Sequence, residues 1–357
     1  MENTFFAFFI FVLILFFYIH ITSQWKTSND LEIYEADYES ASQLQEVCSV
    51  KQPVVFKFQK DQIADAFFER FQTAKFEKFD NLDVNVKDRN DYNLPLNNHG
   101  KKDRAVDHVP LSFRSALRLM TTDTTAKYIS EKNQTFLEES CLDRVCSELD
   151  VYLKPPLSAY TKYDLLIGSP LVSTPLRYHL ESHYFIAVSR GKIKVKLGPP
   201  KYSKIIPSNK DYENYEFWSP LNPWKTKVDA TSKSLEYKDI LQKTKFLDIE
   251  MNVGDILFVP PYWWYSVSFS GDPETTVVTF TYDVAMNIAA QSKHWVLYYL
   301  QQNNIKTRPA KTIQALDGET PETLEKSGEY DVSDIHPQTP VKKEIVTNAG
   351  IYVTGEN

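Results

Sequence analysis

Positive charge, glycine and cysteine are all in short supply in this chain. Forty Lys and Arg face 47 Asp and Glu, giving a formal net charge of −7. Phosphate backbones are gripped by clustered cations, so this balance argues against a nucleic-acid partner. Ten glycines against 22 Phe and 21 Tyr exclude a collagen-like or low-complexity chain. Three cysteines, Cys48, Cys141 and Cys146, make no disulfide framework. "CLDRVC" sets two of them five positions apart, which brings them neither to one face of a helix nor to a common zinc, so idle thiols are expected. Histidine is sparse too: after His183 only His294 and His336 remain. What is plentiful is apolar. At 42% hydrophobic and 14% aromatic, 357 residues can bury one large core or two ordinary ones.

"FFAFFIFVLILFFYIHI" runs from Phe5 to Ile21 with no acidic or basic side chain other than His20. As a helix it is roughly 26 Å long, and Thr22 and Ser23 extend it toward the ~30 Å of a bilayer core. A cleaved signal peptide is the rival reading, but such peptides want a basic start and here only Glu2 precedes the run. Residues 1–23 are therefore expected to be a single-pass membrane anchor. Lys26, on the C-terminal side, weakly favours a cytoplasmic body. Asn133-Gln134-Thr135 matches a glycosylation sequon, which matters only if the body is lumenal.

Residues 24–45 ("SNDLEIYEADYES") read as a polar stalk. Residues 46–160 read as an α/β part, with a strand at "QPVVFKF" (52–58) and helices at 61–71 and 110–120. Ser112 caps the second of these, whose Phe113, Ala116, Leu117 and Met120 share a face. Residues 93–110 look like a loop. From about 161 to 284 strand follows strand, as in a sandwich or barrel. A helix at 285–305 follows, its "HWVLYYLQQ" apolar enough for core or for a homodimer interface, and then a tail at 306–357 with a disordered composition. "DYENYEFWSPLNPW" (211–224) is an aromatic, acidic insertion whose Trp218 and Trp224 either pack over the barrel or form a binding platform.

Two blocks carry a family resemblance: "LLIGSPLVSTPLRYHLESHYFIAVSRGKIKVKLGPP" (165–200) and "GDILFVPPYWWYSVSFS" (254–270). Together they resemble JmjC and cupin-like oxygenases, in particular the asparaginyl hydroxylase that acts on hypoxia-inducible factor, over roughly residues 46–305. The resemblance implies a mainly β fold, a double-stranded β-helix (jelly-roll) with flanking helices, whose mouth holds Fe(II) and 2-oxoglutarate. The family reads T-P-x-H-x-D in the first block and P-x-x-W-W-H in the second. Here the three ligand positions fall on Arg177, His179 and Tyr265. The layout, a short anchor before such a barrel, is similar to anchored cupin-like proteins of large DNA viruses.

A non-haem iron centre needs two imidazoles and a carboxylate. Arg177 instead supplies a cation that does not deprotonate. At about 4 Å and an effective dielectric near 20, it would repel a divalent ion by about 8 kcal/mol. Of the cosubstrate contacts the resemblance implies, Thr174 is kept, while the lysine position falls on Ile193, or on Lys192 if the turn is shifted. Trp263 completes the expected pocket, with Trp264 on the opposite strand face. Three readings of "RYHLESH" stay open. His179, Glu181 and His183, alternating along a strand, form a rebuilt metal set for a protein hydroxylase using Fe(II) and 2-oxoglutarate. Alternatively, Arg177 pairs with Glu181 in a satisfied polar cluster. In the third reading Arg177 serves an anion. We expect the second, hence no metal and no cofactor, and a non-catalytic module at a membrane that binds a protein or small ligand.

Overall fold

Side chains that alternate across each strand divide the interior into separate cores. The computed structural model describes residues 2–58, 62–73, 76–93, 108–224, 232–272 and 274–303, all within one compact unit. In chain order the early strands are β1 (Tyr34–Asp37), β2 (Val54–Lys57), β3 (Asp83–Asp88), β4 (Val109–Ser112) and β5 (Tyr128–Ser130). The next are β6 (Ser158–Gly168), β7 (Leu176–Tyr178), β8 (His183–Arg190), β9 (Ile193–Gly198) and β10 (Asn209–Asp211). The last are β11 (Glu216–Ser219), β12 (Leu247–Met251), β13 (Asp255–Val259), β14 (Trp264–Phe269) and β15 (Thr276–Val284). They form a nine-stranded sheet, β1-β2-β13-β8-β15-β6-β5-β3-β4, and a six-stranded sheet, β10-β11-β7-β14-β9-β12. Only the β1–β2 pairing is parallel among the described strands.

The two sheets face one another as a jelly-roll. Ile186, Val188, Leu257, Val259 and Val277 of the large sheet meet Ile193, Val195, Leu197, Tyr265, Val267 and Phe269 of the small one. The alternate residues of the large sheet, Phe185, Ala187, Ile256, Phe258, Val278 and Phe280, point the other way. They are covered by the helices Ala41–Ser49, Gln62–Thr73 and Phe113–Thr122. Ser112 caps the last of these by accepting from Ser115 N, as its sequence predicts, and Phe113, Ala116 and Met120 are buried. A third, smaller cluster lies outside the small sheet, where Leu176 and Trp264 meet Ile206 and Leu221.

Several expectations need adjustment. The supposed stalk is part of the fold: β1 and most of a helix lie within residues 24–45, and Leu44, Ile33 and Ala36 dock on the two main cores. These anchors are single apolar residues in polar text, too sparse to register as periodicity. Within residues 46–160, β3, β4 and β5 extend the same sheet as β6. The terminal helix is broken at Gln291 into Ala285–Ala290 and Ser292–Gln302. Trp218 and Trp224 form no platform. Trp218 packs edge-on against Tyr92, and Trp224 Nε1 donates to Ser266 Oγ at 2.8 Å. Asn133 is no glycan acceptor here: it is buried, accepting from Asn85 N and donating to Ser130 Oγ and Leu165 O. Cys48 and Cys146 are buried, Cys141 is exposed, and all three are free thiols. Most of the 93–110 loop and the 306–357 tail lie outside the described residues.

The N-terminal helix Glu2–Gln24 is the one described helix long and apolar enough to cross a membrane. Its foot is fixed to the domain. Lys51 Nζ donates to Ser23 O at 2.9 Å and Gln24 O at 3.1 Å, and Trp25 Nε1 donates to Ala290 O.

The β8–β9 turn depends on Gly191, whose φ of +74° suits glycine. A Cβ there would also lie 2.9 Å from Thr275 Cα. Gly191→Ala is therefore expected to destabilise the domain by about 1–3 kcal/mol. Gly271→Ala, with nothing within 4 Å of the added methyl, should change stability by less than about 0.5 kcal/mol. Melts of the two variants in detergent micelles check the contrast.

Candidate functional site

Three residues on β7 decide how the mouth of the roll is built. Leu176 and Tyr178 turn outward to Trp264, which leaves Arg177 pointing between the sheets. Its cross-strand neighbours are Trp218 on β11 and Tyr265 on β14. The guanidinium lies over the Tyr265 ring, 5.5 Å from its centroid, and Nη1 donates to Glu131 Oε2 at 2.6 Å. Glu131 follows β5 directly and also meets Lys87 Nζ of β3 at 3.3 Å. Lys87 donates to Tyr92 Oη at 2.8 Å and to Glu216 of β11 at 2.7 Å, and Lys132 reaches the same Glu216 oxygen at 2.7 Å. Arg177, Glu131, Lys87, Glu216 and Lys132 thus alternate in sign along one buried chain, with the Lys87 side chain wholly inaccessible.

The charges hold one another in place. Burial opposes ionisation of Glu131, yet Arg177 and Lys87 outweigh it and bring its carboxyl down to about 2. Burial likewise opposes a charged Glu216, and Lys132 and Lys87 overcome it. Desolvation would discharge Lys87, but the two carboxylates keep its ammonium above the usual range. Burial pushes His179 down to about 3, a weak main-chain contact with Val259 opposes this, and Arg177 adds to it, so the imidazole is neutral at physiological pH. Neither of its nitrogens has a hydrogen bond of good geometry. Burial also keeps the Tyr184 and Tyr265 phenols protonated.

Of the residues singled out from sequence, Arg177, His179, Glu181 and Tyr265 line one cavity of about 120 Å³, together with Glu131, Glu216, Lys162 and Asp164. His179 packs against Tyr184 and Tyr265, with ring centroids 4.5 and 5.7 Å away. His183 is not there. β7 ends at Tyr178 and β8 starts at His183, so the intervening residues do not continue one strand and the expected alternation breaks. His183 lands on the helix-covered face beside Phe185 and Phe258. The bend has its own fastenings: Tyr262 N donates to His179 O, Asn287 Nδ2 to Leu180 O, and Ser182 N to Asp283 Oδ1. Arg177 consequently pairs with Glu131 and not with Glu181, whose carboxylate accepts from Leu180 N. Among the described residues, no three His, Cys, Asp or Glu side chains are grouped to hold a metal.

The cosubstrate positions also disperse. Thr174 is buried, its Oγ1 accepting from Val267 N at 2.9 Å. Ile193 lies in the inter-sheet core and Lys192 is exposed. Trp263 is fully buried, with Nε1 donating to Ser28 O, and Trp264 occupies the outer cluster. Lys87, Tyr92, Glu131, Lys132 and Glu216 were not legible as site residues. Their one trace is a lysine inside the strand-like "DVNVKD"; the rest are a tyrosine and three charges in turns and strand ends, spread over more than a hundred positions.

Two outcomes test this electrostatic account. Arg177→Ala removes one partner from a buried pair and should cost about 3–5 kcal/mol, measured by urea midpoint. Asp283 is pushed up to about 7 by burial and by Glu181, despite donors from Asn287 and Ser182. Its folded pKa exceeds the unfolded one, so the native state retains a proton the unfolded chain has lost. Stability therefore falls as pH rises from about 4 to about 7. Asp283→Asn should stabilise by about 1–3 kcal/mol at pH 8 and be nearly neutral at pH 4, read from melts at both values.

The family model described as a cupin-like domain matches residues 25–291. No curated protein matches the chain. The matched span begins just after the N-terminal helix and takes in both sheets and the whole cavity, and on that ground the chain belongs to the cupin-like domain family.

Proposed function

We propose that this is a membrane-anchored cupin-like domain that binds or displays instead of catalysing, its former metal position filled by an internal ion pair. The observation that carries this reading is Arg177, which lines the cavity with its side chain 14% exposed and Nη1 2.6 Å from Glu131. The residues at this position do not suit Fe(II). Arg177 repels a cation, Tyr265 stacks under it, His183 faces another core, and His179 is the single imidazole lining the cavity among the described residues. The carboxylates of Glu131 and Glu216 are already neutralised by Lys87, Lys132 and Arg177. Lys192 is exposed and Thr174 is occupied by β14, so the implied holders of 2-oxoglutarate do not converge either.

The anchor reading is supported by the 23-residue N-terminal helix. At ~1.5 Å per residue it spans about 34 Å, enough for a bilayer core, and none of its apolar window is buried against the domain. The partner is then a protein or small ligand at a membrane surface. A cavity of about 120 Å³ admits a small group, so a macromolecular partner would engage the outside of the roll.

Purified chain incubated with iron(II) and 2-oxoglutarate should retain far less than one iron per chain and release no succinate. Stoichiometric iron, or succinate formation that depends on 2-oxoglutarate, would overturn the non-catalytic reading in favour of an atypical hydroxylase.

A further inference from the structure

We infer that the domain lies directly on the lipid surface through a second, interfacial contact beside its anchor, formed by Trp25, Val50, Val296 and Tyr299. The inference rests on the anchored reading of the Glu2–Gln24 helix and specifies how the domain sits once anchored.

No flexible linker separates the helix from the domain. Lys51 closes the last helical carbonyls, Thr27 Oγ1 and Ser28 N both donate to Lys51 O, and Trp263 Nε1 donates to Ser28 O. The foot of the anchor also packs against the Ala285–Ala290 helix, where Trp25 Nε1 donates to Ala290 O. A domain held at zero distance from the end of a membrane span has its anchor-side surface in the headgroup layer.

Large apolar side chains stand exposed on the segments next to the anchor's foot. Trp25 is 53% exposed and Val50, next to the capping Lys51, is 58% exposed. The Ser292–Gln302 helix follows the Ala285–Ala290 helix after one residue. One of its faces is already used. Trp295 stacks on Tyr215 at 5.0 Å, Tyr298 meets the same ring edge-on, and His294 Nδ1 meets Tyr212 Oη. Another face carries Val296 and Tyr299, three positions apart, at 56% and 63% exposure. Three stretches of chain thus carry exposed apolar or aromatic groups at the anchor's foot and on the helix that follows the one it touches. An amphipathic helix with one face on protein and an aliphatic and aromatic face outward suits the interface, roughly 5–10 Å into the headgroup boundary. Trp25, its indole N–H satisfied and its ring exposed, is the residue type that collects at that depth.

The test uses the full chain in phosphatidylcholine vesicles, with a nitrobenzoxadiazole label on Val50→Cys, Tyr299→Cys or Leu171→Cys in a Cys141→Ser background. Leu171 is apolar, 69% exposed and follows the Gly168 end of β6, whereas the Ser158 end pairs with Val284 beside the helix that the anchor touches, so it controls for general stickiness. Lipids with a headgroup-region nitroxide should quench the labels at 50 and 299 at least about twofold more than the label at 171. Equal quenching at all three positions would overturn the inference. So would a label at 299 that is shielded without nitroxide dependence and becomes exposed on dilution into excess vesicles, which is the signature of a second copy on this face. Alkaline carbonate separates the two levels: release of the chain removes the anchored reading itself. Retention with an unquenched label at 299 removes this contact alone.

Discussion

The mouth of this jelly-roll is built around one largely buried guanidinium, that of Arg177. A permanent cation taken out of water costs several kcal/mol unless it is paired and hydrogen-bonded. Arg177 meets that demand with Glu131, and Glu131 in turn draws in Lys87, Glu216 and Lys132. The chain of charges links β3, β5, β7 and β11, two strands from each sheet, so one electrostatic constraint ties the open end of the roll together. A metal would do the same with one central charge; here the work is divided among five side chains. The arrangement is costly to break at any one member, because each loss strands its neighbour in a low dielectric.

The same constraint explains why the neighbouring groups are chemically quiet. Burial and the adjacent Arg177 keep His179 neutral, and burial keeps the Tyr184 and Tyr265 phenols protonated. Glu131 and Glu216 are fully engaged by their cationic partners. Asp283 is poised to change charge near neutral pH, and it serves the bend between β7 and β8 by accepting from Ser182 N and Asn287 Nδ2. That bend is what separates His183 from His179 and sends the two imidazoles to different cores.

Away from the mouth, little separates the N-terminal helix from the domain. The Ala285–Ala290 helix touches the N-terminal helix on one side, while its Asn287 and the following Gln291 hold the His179–Ser182 bend and Tyr262 on the other. One short helix thus lies between the N-terminal helix and the cavity rim.

Sequence alone determined what depends on local pattern. The strand run after residue 161, the Ser112-capped helix, the apolar N-terminal helix and the inward set Ile193, Val195 and Leu197 are readable because periodicity records which face is buried. The motif spacing likewise put an arginine at 177 and a phenol at 265, where the family resemblance expects imidazoles. Only the tertiary structure decided which partners those residues have. Glu131 precedes Arg177 by 46 positions, and Lys87 and Glu216 are 129 apart, so no local spacing announces either pair. The fate of "HLESH" was settled in the same way. Alternation promises a shared face only while a strand continues, and hydrogen bonds from Tyr262 and Asn287, remote in the chain, end it after Tyr178.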